Sequence, residues 1–111
     1  MIIALGDVYA QIPRVEPVRE LMRATQARAR EQSGCISYAF AEALDDPGHF
    51  VLVQQWRDHQ ALDEHYRSPA FANYQAQIAD QVIRTSDLRL HEVQASYAPV
   101  ESSRLDIRQD D

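Results

Sequence analysis

The stretch GCISYAFAEALDDPGHFVLVQQWR, residues 34–57, predicts two β-strands joined by a tight turn. Before the turn, large side chains alternate with serine and alanine. After it, large side chains stand at every second position from Phe50 to Trp56. This period of two is typical of a strand with one buried face. Between them stands Asp45-Asp46-Pro47-Gly48, where proline presets φ and glycine permits a positive φ. We therefore expect a hairpin of strands at about Cys35–Leu44 and His49–Arg57.

The predicted hairpin has two different faces. One face is expected to carry most of the large side chains: Ile36, Tyr38, Phe40, Phe50, Leu52, Gln54 and Trp56. The other face carries small residues from the first strand beside Val51 and Val53. Such a division predicts that helices cover the first face and leave the second open.

Further elements are predicted on either side of the hairpin. An apolar strand at residues 2–10 precedes a helix from about Pro13 to Ser33, whose apolar side chains recur at i, i+3 and i+4. Asp58 can cap a short helix that runs to about Tyr66. Ser68-Pro69 then starts another helix, with a stripe formed by Phe71, Tyr74, Ile78 and Val82. The last strand is expected near Asp87–Tyr97.

The order β-α-β-β-α-β, with the second helix broken in two, predicts an α+β fold of the ferredoxin-like type. Residues 1–99 would form the domain, and the polar segment 100–111 a C-terminal tail. The open face of the antiparallel sheet is a surface of the kind that usually binds something. A second copy of the chain is the simplest candidate, so we expect a homodimer.

Composition excludes several classes of partner. The chain has 111 residues and a net charge of −6, which argues against binding to nucleic acid or an anionic membrane. No apolar run approaches the roughly 20 residues of a membrane span. A single cysteine, Cys35, rules out an internal disulfide and suits a cytoplasmic location.

Two residues are candidates for chemistry. His65 shares a helix face with Ala61 and Leu62, and an imidazole can take up and return a proton near neutral pH. The alternative is a packed histidine of the core or an interface. Trp56 lies on the large-residue face of the hairpin, where it could form a wall for a flat aromatic ligand or be an ordinary core side chain.

Several other polar groups fall near the same predicted face. Gln54 is an amide on an otherwise apolar strand face and needs a partner if buried, either a substrate carbonyl or a backbone group. Tyr38, Tyr66 and Tyr74 could supply hydroxyl groups to a pocket, or be core rings whose hydroxyls reach water. His59 and His65 are six residues apart and lie on different helix faces, so no metal site is expected.

The sequence resembles the antibiotic biosynthesis monooxygenase family over about residues 1–97. The resemblance rests on the following stretches: Gly34–Tyr38, Asp45–Phe50, Val53–Asp58, Ala61-Leu62, His65 and Ser68–Phe71. It implies a dimeric α+β barrel built from two ferredoxin-like chains. Members of the family include cofactor-free oxygenases of quinols and polyketide aromatics, haem-degrading enzymes and an isomerase of a signalling molecule.

Two departures from the family pattern narrow these options. The haem-degrading branch uses an asparagine on the first strand, where this chain has Gly6-Asp7, and its only asparagine is Asn73. A second histidine is frequent in the Ser-Pro-His-Phe position, which is Ala70 here. The resemblance therefore does not favour haem degradation or chemistry that needs two imidazoles at this place.

What remains implied is a cofactor-independent monooxygenase that oxidises an electron-rich aromatic compound, of quinol or polyketide type, with dioxygen. His65 would be the base and Trp56 the pocket wall. The substrate-binding residues would be Tyr38, Phe40, Leu52, Gln54, Leu62, Phe71 and Tyr74. No cofactor is expected, because the three glycines are isolated and form no phosphate-binding loop. The alternatives are a non-oxidative small-molecule binder or isomerase, or a dimeric stress or interaction protein without catalysis.

Overall fold

An antiparallel sheet with its helices on one face forms the protein, described by a computed structural model over residues 1–85 and 88–99. The strands follow the order β2-β3-β1-β4, and β5 also pairs with β1. A 3₁₀ turn at Ile12–Arg14 precedes the first helix. The elements are β1 (Ile2–Ala10), α1 (Val15–Arg30), β2 (Cys35–Glu42), β3 (His49–Trp56), α2 (His59–Tyr66), α3 (Pro69–Ile78), β4 (Val82–Thr85) and β5 (Arg89–Glu92). This arrangement confirms the predicted ferredoxin-like α+β fold.

The first helix is shorter at both ends than the predicted span from Pro13 to Ser33. Pro13 belongs to the 3₁₀ turn, and the regular helix begins only at Val15. At the other end, the backbone N–H of Gln32 donates to Ala29 O, a tighter bond than an α-helix makes. Gly34 then adopts φ +83°, which turns the chain into β2.

The hairpin forms as predicted, but Ile36 is on the wrong face. Cys35 pairs with Trp56 and Ser37 pairs with Gln55, so two residues of β2 oppose one residue of β3. Such a bulge resets the alternation of side chains. Ile36 is consequently 54% exposed, whereas Tyr38 is 1% exposed and faces the helices.

Two predictions for the C-terminal part of the domain need correction. Of the single strand expected near residues 87–97, Arg89–Glu92 forms β5, and a further strand, β4, precedes it; both pair with β1. Val82 belongs to β4 and pairs with Ala10, so it is not part of the helical stripe. Helix α3 ends at Ile78, and beyond it Gln11 N donates to Gln81 O, which holds the chain against the end of β1. Asp87 and the predicted tail 100–111 lie outside the described residues.

The core fills the space between the sheet and the helices in two adjoining clusters. The first comprises Val8, Ala10, Val15, Val18, Met22, Phe50, Tyr74 and Ile78. The second comprises Ile2, Ala29, Tyr38, Leu52, Trp56, Ala61 and Leu62. Both predicted caps are present, since Asp58 accepts from Ala61 N at 2.9 Å and Ser68 Oγ accepts from Phe71 N at 3.2 Å. These caps begin α2, which contributes Ala61 and Leu62 to the second cluster, and α3, which contributes Tyr74 and Ile78 to the first.

The opposite face of the sheet carries a mixture of apolar and polar side chains. Leu5 pairs with Val53 near its centre, and Leu5 is exposed. Towards one end, His49 Nε2 lies 2.7 Å from Asp7 Oδ1, and the His49 ring stacks on Tyr9 at 4.4 Å. No helix in the described part of the chain is long and apolar enough to cross a bilayer.

Candidate active site

Four buried polar atoms in the described part of the chain lack a hydrogen-bond partner, and they lie together beneath α2. They are Tyr38 Oη, Gln54 Nε2, His65 Nε2 and Tyr66 Oη. A buried polar group without a partner costs about 1–3 kcal/mol. Unpaired groups of this kind call for an explanation, and four in one place make this region the candidate site.

Aromatic rings surround the imidazole of His65, which is 2% exposed. Trp56 stacks on it at a centroid distance of 4.7 Å. Tyr38, Phe71 and Tyr66 lie at 5.3, 5.2 and 5.4 Å. We call these four rings, together with His65 itself, the aromatic box. The box brings together residues from β2, β3, α2 and α3, and it excludes water from the imidazole.

The two ring nitrogens of His65 have different surroundings. Nδ1 lies 2.8 Å from Gln32 Oε1, whereas Nε2 has no partner. Burial lowers the pKa of His65 from 6.5 to about 4. The imidazole is therefore neutral at pH 7 and has one lone pair that can accept a proton.

The lowered pKa of His65 predicts a loss of stability in mild acid. The unfolded chain takes up a proton near pH 6.5 and the folded chain only near pH 4, so the stability present above pH 6.5 is lost as the pH falls to about 4. At about 1.4 kcal/mol per pKa unit, the loss is on the order of 3 kcal/mol. Denaturant unfolding at several pH values measures it, with His65→Leu as the comparison. Equal pH dependence of the two proteins between pH 6.5 and 4.5 would contradict the assignment.

Gln54 is oriented by its neighbour on β3. Its Oε1 accepts a hydrogen bond from Trp56 Nε1 at 2.7 Å, and its Nε2 lies near the Tyr66 hydroxyl without a hydrogen bond of normal geometry. Burial raises the pKa of Tyr38 and of Tyr66, in Tyr66 against a smaller lowering by the Gln54 amide, so both hydroxyls stay protonated near neutral pH. The site thus offers amide and hydroxyl donors beside the proton-accepting nitrogen of His65.

A cavity of about 210 Å³ lies next to the aromatic box, between the sheet and α3. Its walls are formed by Gly6, Asp7, Val8, Leu52, Gln54, Tyr66, Phe71, Tyr74, Gln75, Ile78, Thr85 and Leu88. A mostly apolar cavity of about 150 Å³ is enough to bind benzene, so this one has room for a small aromatic molecule. Gln54 and Tyr66 belong both to its wall and to the set of unpartnered polar groups.

The predicted site residues divide into two groups. Leu52, Gln54, Phe71 and Tyr74 line the cavity. The others do not line it: Tyr38, Phe40, Trp56, Leu62 and His65. Phe40 packs 5.7 Å from Tyr74, Leu62 is buried in the second cluster, and the remaining three belong to the aromatic box behind Tyr66 and Phe71.

Sequence reasoning missed two kinds of residue at this site. Gln32 contacts His65, from which it is separated by 33 residues in the sequence, and no local sequence pattern indicates this contact. Gly6 lies in the cavity wall, where a Cβ would come 3.0 Å from Leu88 Cδ1. An isolated glycine within a strand is a signal of such close approach and could have pointed to this position.

Other depressions are less suited to a ligand with polar groups. One of about 250 Å³ between α1 and β2 is lined by Arg19 and Glu42, which are bound to each other at 2.8 Å. Within residues 1–85 and 88–99, no three His, Cys, Asp or Glu side chains cluster as a metal site would require. The aromatic box and its cavity therefore remain the best candidate.

Comparison with known proteins identifies a matching family and two relatives of similar sequence. The model of the family "Antibiotic biosynthesis monooxygenase" matches residues 1–77. The "Putative monooxygenase Rv0793" of Mycobacterium tuberculosis is 39% identical over 67 residues, which are 60% of this chain and 65% of that protein. The uncharacterised protein sll1783 of Synechocystis is 24% identical over 92 residues, 83% of this chain and 63% of its own length. The chain thus spans somewhat less than two thirds of the curated relatives that it matches.

Solved structures agree with the fold over most of the chain. The structure of Rv0793 superposes with a TM-score of 0.79 at 26% identity, covering 87% of this chain and 98% of that one. A Deinococcus radiodurans protein superposes with a TM-score of 0.84 at 22% identity, covering 90% and 99%.

Proposed function

The chain belongs to the antibiotic biosynthesis monooxygenase family, and we propose that it is a cofactor-independent monooxygenase acting on an electron-rich aromatic hydroxyl compound. Substrates of the quinol or polyketide type fit this description, with dioxygen as the oxidant. The family and its relatives favour monooxygenase chemistry in general. The substrate class and the use of dioxygen are what the resemblance to the family implies, and the aromatic, largely apolar site is compatible with them.

The set of unpartnered polar atoms carries this proposal. A phenolic hydroxyl can donate to His65 Nε2 while its oxygen accepts from the amide of Gln54, so one substrate group would satisfy two of the four atoms. The surrounding rings and the apolar cavity suit an aromatic body. A ligand that is flat, apolar and bears a hydroxyl group meets all of these requirements.

The proposed reaction begins with proton transfer from the substrate to His65 Nε2. The resulting carbanion or phenolate is electron-rich and passes one electron to dioxygen, and the radical pair combines as a carbon-bound peroxide. For an anthrone, or a hydroquinone that reacts as its keto tautomer, the peroxide carbon keeps one hydrogen; its C–H bond breaks as the O–O bond cleaves, so that CH₂ and O₂ become C=O and H₂O. His65 returns its proton to the departing hydroxide. The protein contributes a base, orientation and a dry site.

The substrate body would occupy the cavity, with its reactive edge towards the aromatic box. Tyr66 and Phe71 stand between the cavity and His65. We propose that these two rings turn aside when the substrate enters. Aromatic side chains at the mouth of the box would then also shield the intermediate from water.

Oxygen consumption with a panel of hydroquinones and anthrones tests this function. The proposal expects uptake that depends on the protein and saturates with at least one member of the panel. Thermal stabilisation by the same compounds without oxygen uptake would favour a non-oxidative binder or an isomerase instead. Neither effect with any compound would favour an interaction protein without catalysis.

We also propose that two copies of the chain pair through the open face of the sheet. Leu5, Val51 and Val53 form the apolar part of this face. Light scattering at micromolar concentration is expected to give twice the chain mass of 12.7 kDa, and Val53→Asp, which places a charge in the apolar patch, to give a monomer. A monomeric parent protein would overturn this part of the proposal.

A further inference from the structure

Gln32 is held in a defined position between α1 and β2. Its backbone N–H donates to Ala29 O at 3.1 Å, and its backbone carbonyl accepts from Cys35 N at 3.1 Å. Both main-chain groups are therefore anchored in the turn that joins the helix to the strand. The side chain extends from this fixed point towards α2, where Oε1 reaches His65 Nδ1 at 2.8 Å.

The contact determines where the proton of the imidazole resides. An amide oxygen only accepts hydrogen bonds, so Nδ1 must be the donor. A neutral imidazole carries a single N–H, and Nε2 is then unprotonated. The nitrogen that faces the aromatic box has a lone pair and no partner.

We propose that Gln32 is a positioning residue that selects the Nδ1–H tautomer of His65 and thereby makes Nε2 the proton acceptor of the site. The tautomer follows from the placement of the Gln32 amide with Oε1 towards Nδ1, whereas its use in catalysis rests on the proposed function. Without Gln32, Nδ1 would face a depression of about 210 Å³ lined by Ser33, Glu64 and Ser68. Loss of the fixed acceptor would let the proton move to Nε2, where it would block proton transfer from a substrate.

The tautomer can be observed directly, without a substrate. Two-bond ¹⁵N–¹H NMR spectra of protein labelled at the histidine nitrogens distinguish an Nδ1–H from an Nε2–H imidazole. His65→Phe identifies the signals of His65 among those of the four histidines. We expect the Nδ1–H pattern in the parent protein at pH 7. An Nε2–H pattern would overturn the proposal, and this measurement does not depend on whether the protein is an oxygenase.

A matched set of variants tests the role of Gln32. Gln32→Leu removes the acceptor and is expected to abolish the pure Nδ1–H pattern, while Gln32→Glu keeps an acceptor and should preserve it. Gln60→Leu is the control, since Gln60 is an exposed amide that contacts Glu64. An unchanged pattern in Gln32→Leu would contradict the proposal. If Gln32→Leu does not fold, Gln32→Ala replaces it, and the spectrum of the parent still decides the tautomer.

Activity gives a second readout once a substrate is known. Gln32→Leu should lose turnover that Gln32→Glu retains. If both variants lose turnover while the tautomer of His65 is unchanged in both, Gln32 acts only through packing.

Discussion

For an aromatic substrate that the parent protein oxidises, His65→Ala is expected to lower turnover by roughly 10²- to 10⁴-fold, the usual range for the loss of a general base. The reason is that His65 Nε2 is the neutral, unpartnered nitrogen inside the aromatic box. Substrate affinity should change less, because a base acts mainly in the transition state. Steady-state oxygen consumption across a range of pH values provides the measurement.

Two controls separate chemistry from packing in this experiment. His59→Ala removes an exposed imidazole from the same helix, one whose partner is Glu92, and should leave turnover close to that of the parent. Leu62→Ala removes a buried side chain three residues before His65 and should lower stability by about 2–5 kcal/mol, with a smaller effect on turnover. Full activity of His65→Ala would show that His65 is only a packed helix residue.

Trp56→Ala should reduce affinity and turnover together and also destabilise the fold. Its indole is fully buried and stacks on His65, so removal leaves a large void beside the imidazole. Gln54 Oε1 also loses its donor. Truncation of a buried tryptophan costs about 3–5 kcal/mol. Denaturant unfolding should show this loss, and KM and kcat are then compared on the folded fraction.

Trp56→Phe serves as the matched variant, because it keeps an aromatic ring and loses the Nε1–H that orients Gln54. Compared with Trp56→Ala, we expect it to restore most of the parent's stability but only part of its affinity for the substrate. If Trp56→Ala is folded and binds substrate as the parent does, the tryptophan belongs to the core alone and takes no part in shaping the site.

Much of the fold could be predicted because its signals are local. Alternation along β3 and the capping residues Asp58 and Ser68 indicate a strand and two helices without reference to the rest of the chain. Ile36 was misplaced because a bulge adds one residue without changing composition or period nearby. Val82 was misplaced because an apolar residue one turn beyond Ile78 also fits a helix, and only pairing with β1 decides otherwise.

The site was predictable to the extent that it follows strand and helix faces. Gln54 stood out as an amide on an apolar face, and the helical stripe indicated Phe71 and Tyr74. Two features depended on tertiary packing instead. Gln32 meets His65 only because the end of α1 lies beside α2, and the position of Trp56 behind the cavity rather than in its wall follows from how Tyr66 and Phe71 pack.

Transfer of an oxygen atom from dioxygen to an aromatic substrate at this site can be measured with ¹⁸O₂. We expect one labelled oxygen atom in each molecule of organic product, one dioxygen consumed per product, and no release of hydrogen peroxide. Oxygen uptake that yields hydrogen peroxide and an unlabelled product, or no protein-dependent uptake across the panel of hydroquinones and anthrones, would contradict it.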